Sequence, residues 1–209
     1  MLYCYFIARS DPEVERLSFR TLSAAGVDFV REQDLVAATR RVPPGTRSTP
    51  ELMLEYNAVL TAASKRATVL PLRFGSSFRS ETTVARLLAD RRPELLHALD
   101  RLEGKAEMSV RVRLKSEDSA NARVAEINET CRPLDSWFEV QENPAGGSIL
   151  EMAHLIERRS AEEYRQRLEP QAVEVSGPRP PFHFLPQFLR MPVRAERSAR
   201  RSEASSRAG

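Results

Sequence analysis

Val69-Leu70-Pro71-Leu72-Arg73-Phe74-Gly75-Ser76-Ser77-Phe78 is the stretch on which the reading of this chain turns. It begins as a buried strand, is broken by Pro71 and ends in an aromatic-Gly-Ser-Ser-aromatic turn. On pattern alone it is a core strand running into a helix N-cap. Arg73 lies between apolar neighbours, where a charge ordinarily needs a partner.

The flanks support that reading. Upstream, Ser48 and Glu51 have capping-box spacing around Pro50, which suits a first helical turn. Leu52, Tyr56, Val59, Leu60 and Ala63 then recur at helical spacing to about Arg66. Downstream, Ser80 caps a helix with Val84, Leu87 and Leu88 inward, and Pro93 restarts it with Leu95, Leu96, Leu99 and Leu102 inward. Gly104 ends the helical run. Nearer the N-terminus, residues 2–8 are rich in aromatic and β-branched side chains and read as a buried strand. A helix follows from Asp11-Pro12-Glu13, with Val14, Leu17 and Thr21 along one face, and Gly26 stops it. Residues 27–32 and 34–40 read as a hairpin, and Pro43-Pro44-Gly45 as a loop. Residues 1–104 are thus expected to form an N-terminal α/β domain of order β-(α)-β-β-α-β-α-α.

The second half has its own rhythm. Met108, Val110, Val112 and Leu114 alternate with Glu107, Ser109, Arg111 and Arg113, the mark of a half-buried strand. Residues 116–132 read as a helix with Ala120, Val124, Ile127 and Cys131 on one face. Strands follow at 136–141 and 149–157, separated by Asn143-Pro144-Ala145-Gly146-Gly147. A capping box at Ser160 and Glu163 opens a helix that Pro170 closes, and 172–175 form a last strand. The order βαββαβ over residues 105–184 is the ferredoxin-like, split-βαβ arrangement. Gly177-Pro178-Arg179-Pro180-Pro181-Phe182-His183-Phe184 cannot continue a helix or central strand, and reads as an extended terminator pinned by Phe182 and Phe184. Residues 185–209 read as an extended, disordered, Arg-rich tail. The fold class is therefore α+β.

Composition limits the functional classes. The 209 residues are 41% apolar and 29% charged, as in globular proteins. The two cysteines, Cys4 and Cys131, form no CxxC and fit a reducing cytoplasm. No stretch approaches the roughly 18 apolar residues of a membrane span, and the N-terminus has no signal-peptide pattern. The formal net charge is +3. The six Arg and two Glu from 190 to 209 supply +4, which leaves −1 for residues 1–189. A folded nucleic-acid-binding domain is more often basic throughout.

No catalytic constellation appears. His97, His154 and His183 are far apart and at no ligand spacing from a cysteine. Gly104-Lys105 is followed by Ala106, which breaks a phosphate-loop pattern, and neither GxGxxG nor GxSxG occurs. The expected outward positions of the 105–114 strand carry no aromatic on which RNA bases would stack.

Four stretches, in order, resemble a known family. Leu70-Pro71-Leu72-Arg73-Phe74-Gly75 with Phe78 is similar to one hallmark of the gas vesicle proteins GvpL/GvpF. Leu102-Glu103-Gly104-Lys105-Ala106-Glu107-Met108-Ser109-Val110 resembles a second. Tyr56-Asn57-Ala58-Val59-Leu60 looks like the helix that precedes the first, and Gly177-Pro178-Arg179-Pro180-Pro181-Phe182-His183-Phe184 resembles the closing motif. Arg179 stands where the family usually has Trp, Phe182 where Tyr is usual and Tyr56 where His is frequent. The resemblance implies a cytoplasmic accessory protein of gas vesicle assembly that is not an enzyme and has no cofactor or metal. It implies contact with the small hydrophobic shell protein GvpA and with other accessory proteins. A partner-binding surface is then expected near Phe74–Phe78 and Pro180–Phe184. The alternative is a small-molecule or nucleotide-handling enzyme on the same scaffold. A further one is polyanion binding by the tail, against the simpler reading of a solvated tail.

Overall fold

The computed structural model describes residues 1–17, 19, 26–115, 119–142, 146–171 and 173–190. Its first sheet is built around β1 (Leu2–Arg9), seven of whose eight residues are buried. A β-bulge between Cys4 and Phe6 shifts the register against β3. An extra residue breaks the period of two. Leu2, Cys4 and Ile7 therefore join one core cluster, whereas Tyr3, Tyr5, Phe6 and Ala8 join another.

After one helical turn, α1 (Pro12–Glu15), come β2 (Asp28–Glu32) and β3 (Leu35–Arg41), joined as the expected hairpin. The Asp11 side chain accepts from the Glu13 amide, and α1 ends at an Arg16 C-cap. The helix expected here ends after one turn at Glu15; Thr21 and the other residues of 20–25 lie outside the described residues. Next come α2 (Pro50–Ser64), the two-residue strands β4 (Leu70–Pro71) and β5 (Ser77–Phe78), α3 (Glu81–Asp90) and α4 (Arg92–Leu102). The strand order is β2-β3-β1-β4, with β5 also on β1. Every pairing in the sheet is antiparallel, so this half is not the α/β unit of the sequence reading. The helical crossover through α2 does bring β4 parallel to β3, but β1 lies antiparallel between them, so no two hydrogen-bonded neighbours are parallel.

Local chemistry explains the helix boundaries. The cap of α2 is Thr49, which accepts from the Leu52 amide. Thr49 holds the role expected of Ser48, one residue earlier, because Pro50 occupies the first turn. Ser80 caps α3 as expected. No side chain caps α4; it is held instead by the burial of Leu95, Leu99 and Leu102, each worth about 2 kcal/mol.

The second sheet comprises β6 (Lys105–Leu114), β7 (Asp135–Glu142), β8 (Ser148–Glu157) and β9 (Glu174–Arg179), in the antiparallel order β7-β8-β6-β9. With α5 (Ala120–Cys131) after β6 and α6 (Ala161–Leu168) after β8, this is the strand order and connectivity of a split βαβ unit. Met108, Val110 and Leu114 meet Val124, Ile127, Tyr164 and Leu168 under the two helices. Ser160 precedes α6 without making a capping bond, because a 3-10 turn over Arg158–Ser160 already leads the chain into the helix.

Three expectations fail in the C-terminal part and near the start of β6. The strand expected at 172–175 runs on to Arg179, through Gly177 and Pro178. This is possible because β9 is an edge strand whose pairing with β6 slips between Glu107 and Ser109. Glu107, read as outward, is fully buried. Finally, residues 185–190 are packed: Leu185 and Leu189, the latter on α7 (Gln187–Arg190), are buried in the first sheet's cluster. The remainder of the expected tail lies outside the described residues.

That cluster joins the two halves. Ala153 and Leu155 on β8, Phe184, Leu185 and Leu189 pack with Leu2, Leu88, Leu95 and Leu99. The second sheet thus has helices on one face and the first half of the chain on part of the other.

Gly177 is fixed by two constraints. Its φ is +119°, and a Cβ there would lie 2.7 Å from the Glu107 carbonyl oxygen and 2.9 Å from Met108 Sδ. Gly177→Ala is expected to destabilise the fold by about 2–4 kcal/mol, measured by urea unfolding. Gly146→Ala shares a positive φ, but its Cβ would meet nothing within 4 Å. It is expected to cost about 1–2 kcal/mol.

Candidate functional site

The four distinctive stretches of the sequence converge where the C-terminal segment crosses from β9 to the first sheet. The Arg73–Ser76 turn is closed by the Ser76 amide donating to the Arg73 carbonyl at 3.0 Å. Gly75, at φ +88°, holds the third position, where a type II turn requires positive φ. The Gly75 amide donates to the Tyr3 hydroxyl at 3.0 Å, and the Tyr56 hydroxyl donates to the Leu72 carbonyl. The Phe74 ring lies 5.5 Å from that of Tyr56 and 6.0 Å from that of Tyr3, both edge-on. Arg73 itself is exposed. The turn carries it out of the apolar run, which removes the need for a buried partner.

The closing segment docks onto the same aromatic group. Phe182 lies 6.5 Å from Tyr56, and Phe184 enters the cluster on the other face of the sheet. Between them, His183 donates from its backbone amide to Glu107 Oε2 at 2.8 Å. Its ring Nδ1 is 3.0 Å from Glu107 Oε1. A carboxylate only accepts, so Nδ1 carries the proton. Arg179 Nε donates to Glu107 Oε1 at 3.0 Å, and its Nη2 to Ser109. Trp137 on β7 stacks on the His183 ring at 4.3 Å. Arg101 and Arg165 bind the carbonyls of Phe184 and Gly177. A buried carboxylate with three donors thus ties β6, β9 and the closing segment together.

Half of the signature residues are buried. Leu70, Pro71, Leu72, Phe78, Glu107, Pro180, Pro181 and Phe184 are buried; Phe74, Gly75, Lys105, Gly177 and Phe182 are half-buried; Arg73, Gly104 and Pro178 are exposed. Sequence reasoning missed Trp137, Arg101 and Arg165. It also missed a buried pair, Arg40 and Glu55, with Nε 3.3 Å from Oε1; the Tyr5 hydroxyl donates to the same Glu55 oxygen. A signal existed. Glu55 lies on the inward face with Leu52, Tyr56 and Val59, and Arg40 follows Val36 and Ala38 at period two.

Beside the Trp137–His183 stack lies a cleft of about 430 Å³ on the open face of the second sheet. Ser109, Arg111, Glu151, Glu174 and Arg179 contribute to its walls, and its two arginines are already engaged by Glu151 and Glu107. At the cleft, the hydrogen bond to Glu151 raises the pKa of Arg111, whereas the tyrosines and cysteines with raised pKa are interior. Burial pushes Tyr3 up to about 12 and raises Cys4, Tyr5 and Tyr56 as well. Cys131 and Tyr164 line a smaller pocket of about 140 Å³, and burial raises both, the reverse of what a thiolate nucleophile needs. Among the described residues no group of three or more His, Cys, Asp or Glu is arranged to hold a metal ion, and no helix is long and apolar enough to cross a membrane.

Residues 1–136 match the family profile described as gas vesicle synthesis protein GvpL/GvpF. Gas vesicle protein F1 of Halobacterium salinarum is 26% identical over 200 residues, covering 88% of this chain and 92% of that protein. Gas vesicle protein L of Streptomyces sp. (strain CB03234) is 33% identical over 97 residues, 40% of this chain, and the match spans only 36% of that protein. The crystal structures of GvpF from Microcystis aeruginosa and from Anabaena sp. PCC7120 superpose with TM-scores of 0.75 and 0.71, at 14% and 16% identity. Each covers 88% of this chain, and 98% and 97% of those chains.

Two outcomes follow from the buried polar groups. Glu107→Ala leaves Arg179 and the His183 amide without their acceptor, and is expected to cost about 2–3 kcal/mol. Limited proteolysis should then cut first within the released closing segment. The second concerns His154, buried on β8, whose Nδ1 lies 2.7 Å from the Tyr164 hydroxyl. Burial lowers its pKa from 6.5 to about 4. The unfolded chain binds this proton more readily, so stability is full above pH 6.5 and falls as the pH drops towards 4. The loss is at most about 3 kcal/mol. His154→Gln should remove that part of the slope in unfolding curves across the window.

Proposed function

The chain belongs to the gas vesicle synthesis protein GvpL/GvpF family, and from that premise we propose that it acts in gas vesicle assembly by binding the small hydrophobic shell protein GvpA. The observation that carries this is the family match over residues 1–136. We read the protein as non-enzymatic and cytoplasmic, with residues 1–104 and 105–184 as two domains, the second ferredoxin-like. Shell subunits before assembly have large apolar surfaces, and such surfaces aggregate unless covered.

The contact surface takes only the outermost of the signature residues. Half of those residues are buried and form the frame. The half-buried rings of Phe74 and Phe182 form its rim, while Leu54 on α2 is 70% exposed and Met53 beside it 39%. Asn57, Ala58, Thr61 and Ala62 continue the exposed face of α2 without a charge. This uncharged face, with the Phe74–Phe182 rim, is the surface we assign to the shell protein.

Full-length protein immobilised and exposed to freshly made shell protein should retain it at about 1 M salt, where charge contacts are screened. Leu54→Glu should reduce retention at least about tenfold, because it places a charge in the apolar contact. A folded, monodisperse chain that retains no shell protein would exclude direct shell binding. Retention by the wild type that survives Leu54→Glu would move the contact off α2.

A further inference from the structure

We propose that the free edge of β7 is a strand-addition site for an extended segment of a partner protein in which basic and apolar side chains alternate. The edge differs from the other edges of the two sheets. β7 is an end strand of the second sheet. It pairs with β8 in unbroken register over Asp135–Glu142, and its last five residues are exposed. The opposite edge, β9, is blunted by Pro178 and by the slip in its pairing. In the first sheet, β2 has five residues and α3 packs beside it. Among the described residues no strand pairs with the outer side of β7, and so long and regular an edge offers backbone donors and acceptors to a strand from another chain.

Side-chain chemistry selects the occupant. Phe138 and Val140 point to the helix-covered side, opposite Met152 and Leu150 on β8, yet they remain 40% and 46% exposed. Trp137 and Glu139 point to the other side, as does Asp135. The strand contains three carboxylates, Asp135, Glu139 and Glu142, and no Lys or Arg. An incoming strand therefore gains by placing apolar residues beside Phe138 and Val140 and cations beside Asp135 and Glu139. A second copy of β7 would bring three carboxylates against three, so the edge disfavours its own copy. This surface is separate from the α2 face assigned to the shell protein, and its test does not use that protein.

The probe is a fluorescent ten-residue peptide of alternating Val and Lys, titrated into the full-length chain and followed by anisotropy. Three controls accompany it: the Val–Glu peptide, the Val–Lys peptide N-methylated at alternate residues, and the Glu139→Lys variant, whose exposed side chain leaves the fold undisturbed. The expected result is saturable binding of the Val–Lys peptide alone. Glu139→Lys should weaken it about fivefold or more. Equal binding of the N-methylated peptide would overturn the proposal, since charge without backbone pairing would then suffice. Equal binding by Glu139→Lys would also overturn it. So would dimerisation of the free protein, seen by sedimentation and abolished at this edge, which would assign it to a second copy. Binding that appears only after removal of residues 191–209 would assign the edge to the chain's own Arg-rich segment, and the partner reading would fall.

Discussion

The Glu107 carboxylate, taken out of water on the inner end of β6, constrains the rest of the molecule. A buried charge is tolerated only when donors replace the water it has lost. Glu107 has three: the His183 amide, the His183 ring and Arg179. All three come from the C-terminal segment, so that segment must lie across the second sheet before the carboxylate can be buried. Once it does, Phe182 and Phe184 fall on opposite sides of the first sheet, into two different clusters. Trp137 then closes over His183. One polar requirement thereby sets where the end of the chain runs and how the two sheets are fastened.

The first sheet contains a second such device. Arg40, Glu55 and the Tyr5 hydroxyl are buried together between β3, α2 and β1. A well-packed apolar trio of similar volume would be as stable or more so, so stability does not explain the arrangement. Its effect is positional. It fixes the rotation of α2 on the sheet, which brings Tyr56 against Leu72 and Phe74 and turns Leu54 and Met53 outward.

This explains what could be read from the sequence and what could not. Local pattern predicted β1, β3, β6, β8, α2, α3 and α4: β1 is a continuous apolar run buried on both faces, β6 alternates, and the helices carry apolar residues at helical spacing. Beyond the β2–β3 hairpin, antiparallel pairing in the first sheet was not legible, since the strands themselves carry no mark of direction. Glu107 was misread because alternation tells which side of a strand a residue faces, not whether something covers that side. The cover comes from 72 or more residues away, at Arg179 and His183. Arg73 was misread in the opposite sense: the run around it is apolar, but the Gly75 turn throws its side chain into solvent. For the candidate site, the resemblance located the stretches that meet. It gave no account of Trp137, which lies on a strand where nothing in the local pattern singles it out.

The placement of the signature also bears on where specificity resides. Leu70, Leu72, Phe78, Glu107, Pro180 and Phe184 are buried, and Gly75 and Gly177 serve backbone geometry. These residues define a frame, and a frame is compatible with many partners. In the reading proposed here, recognition falls to side chains that the frame exposes: the uncharged face of α2 and the acidic, regular edge of β7. The two differ in kind. An apolar helix face binds by excluding water, with little demand on the partner's register. A strand edge binds through its backbone, and a one-residue slip would exchange the cation and apolar positions of the incoming segment. Under the two proposals, one surface would hold an aggregation-prone subunit while another chain is aligned on the second.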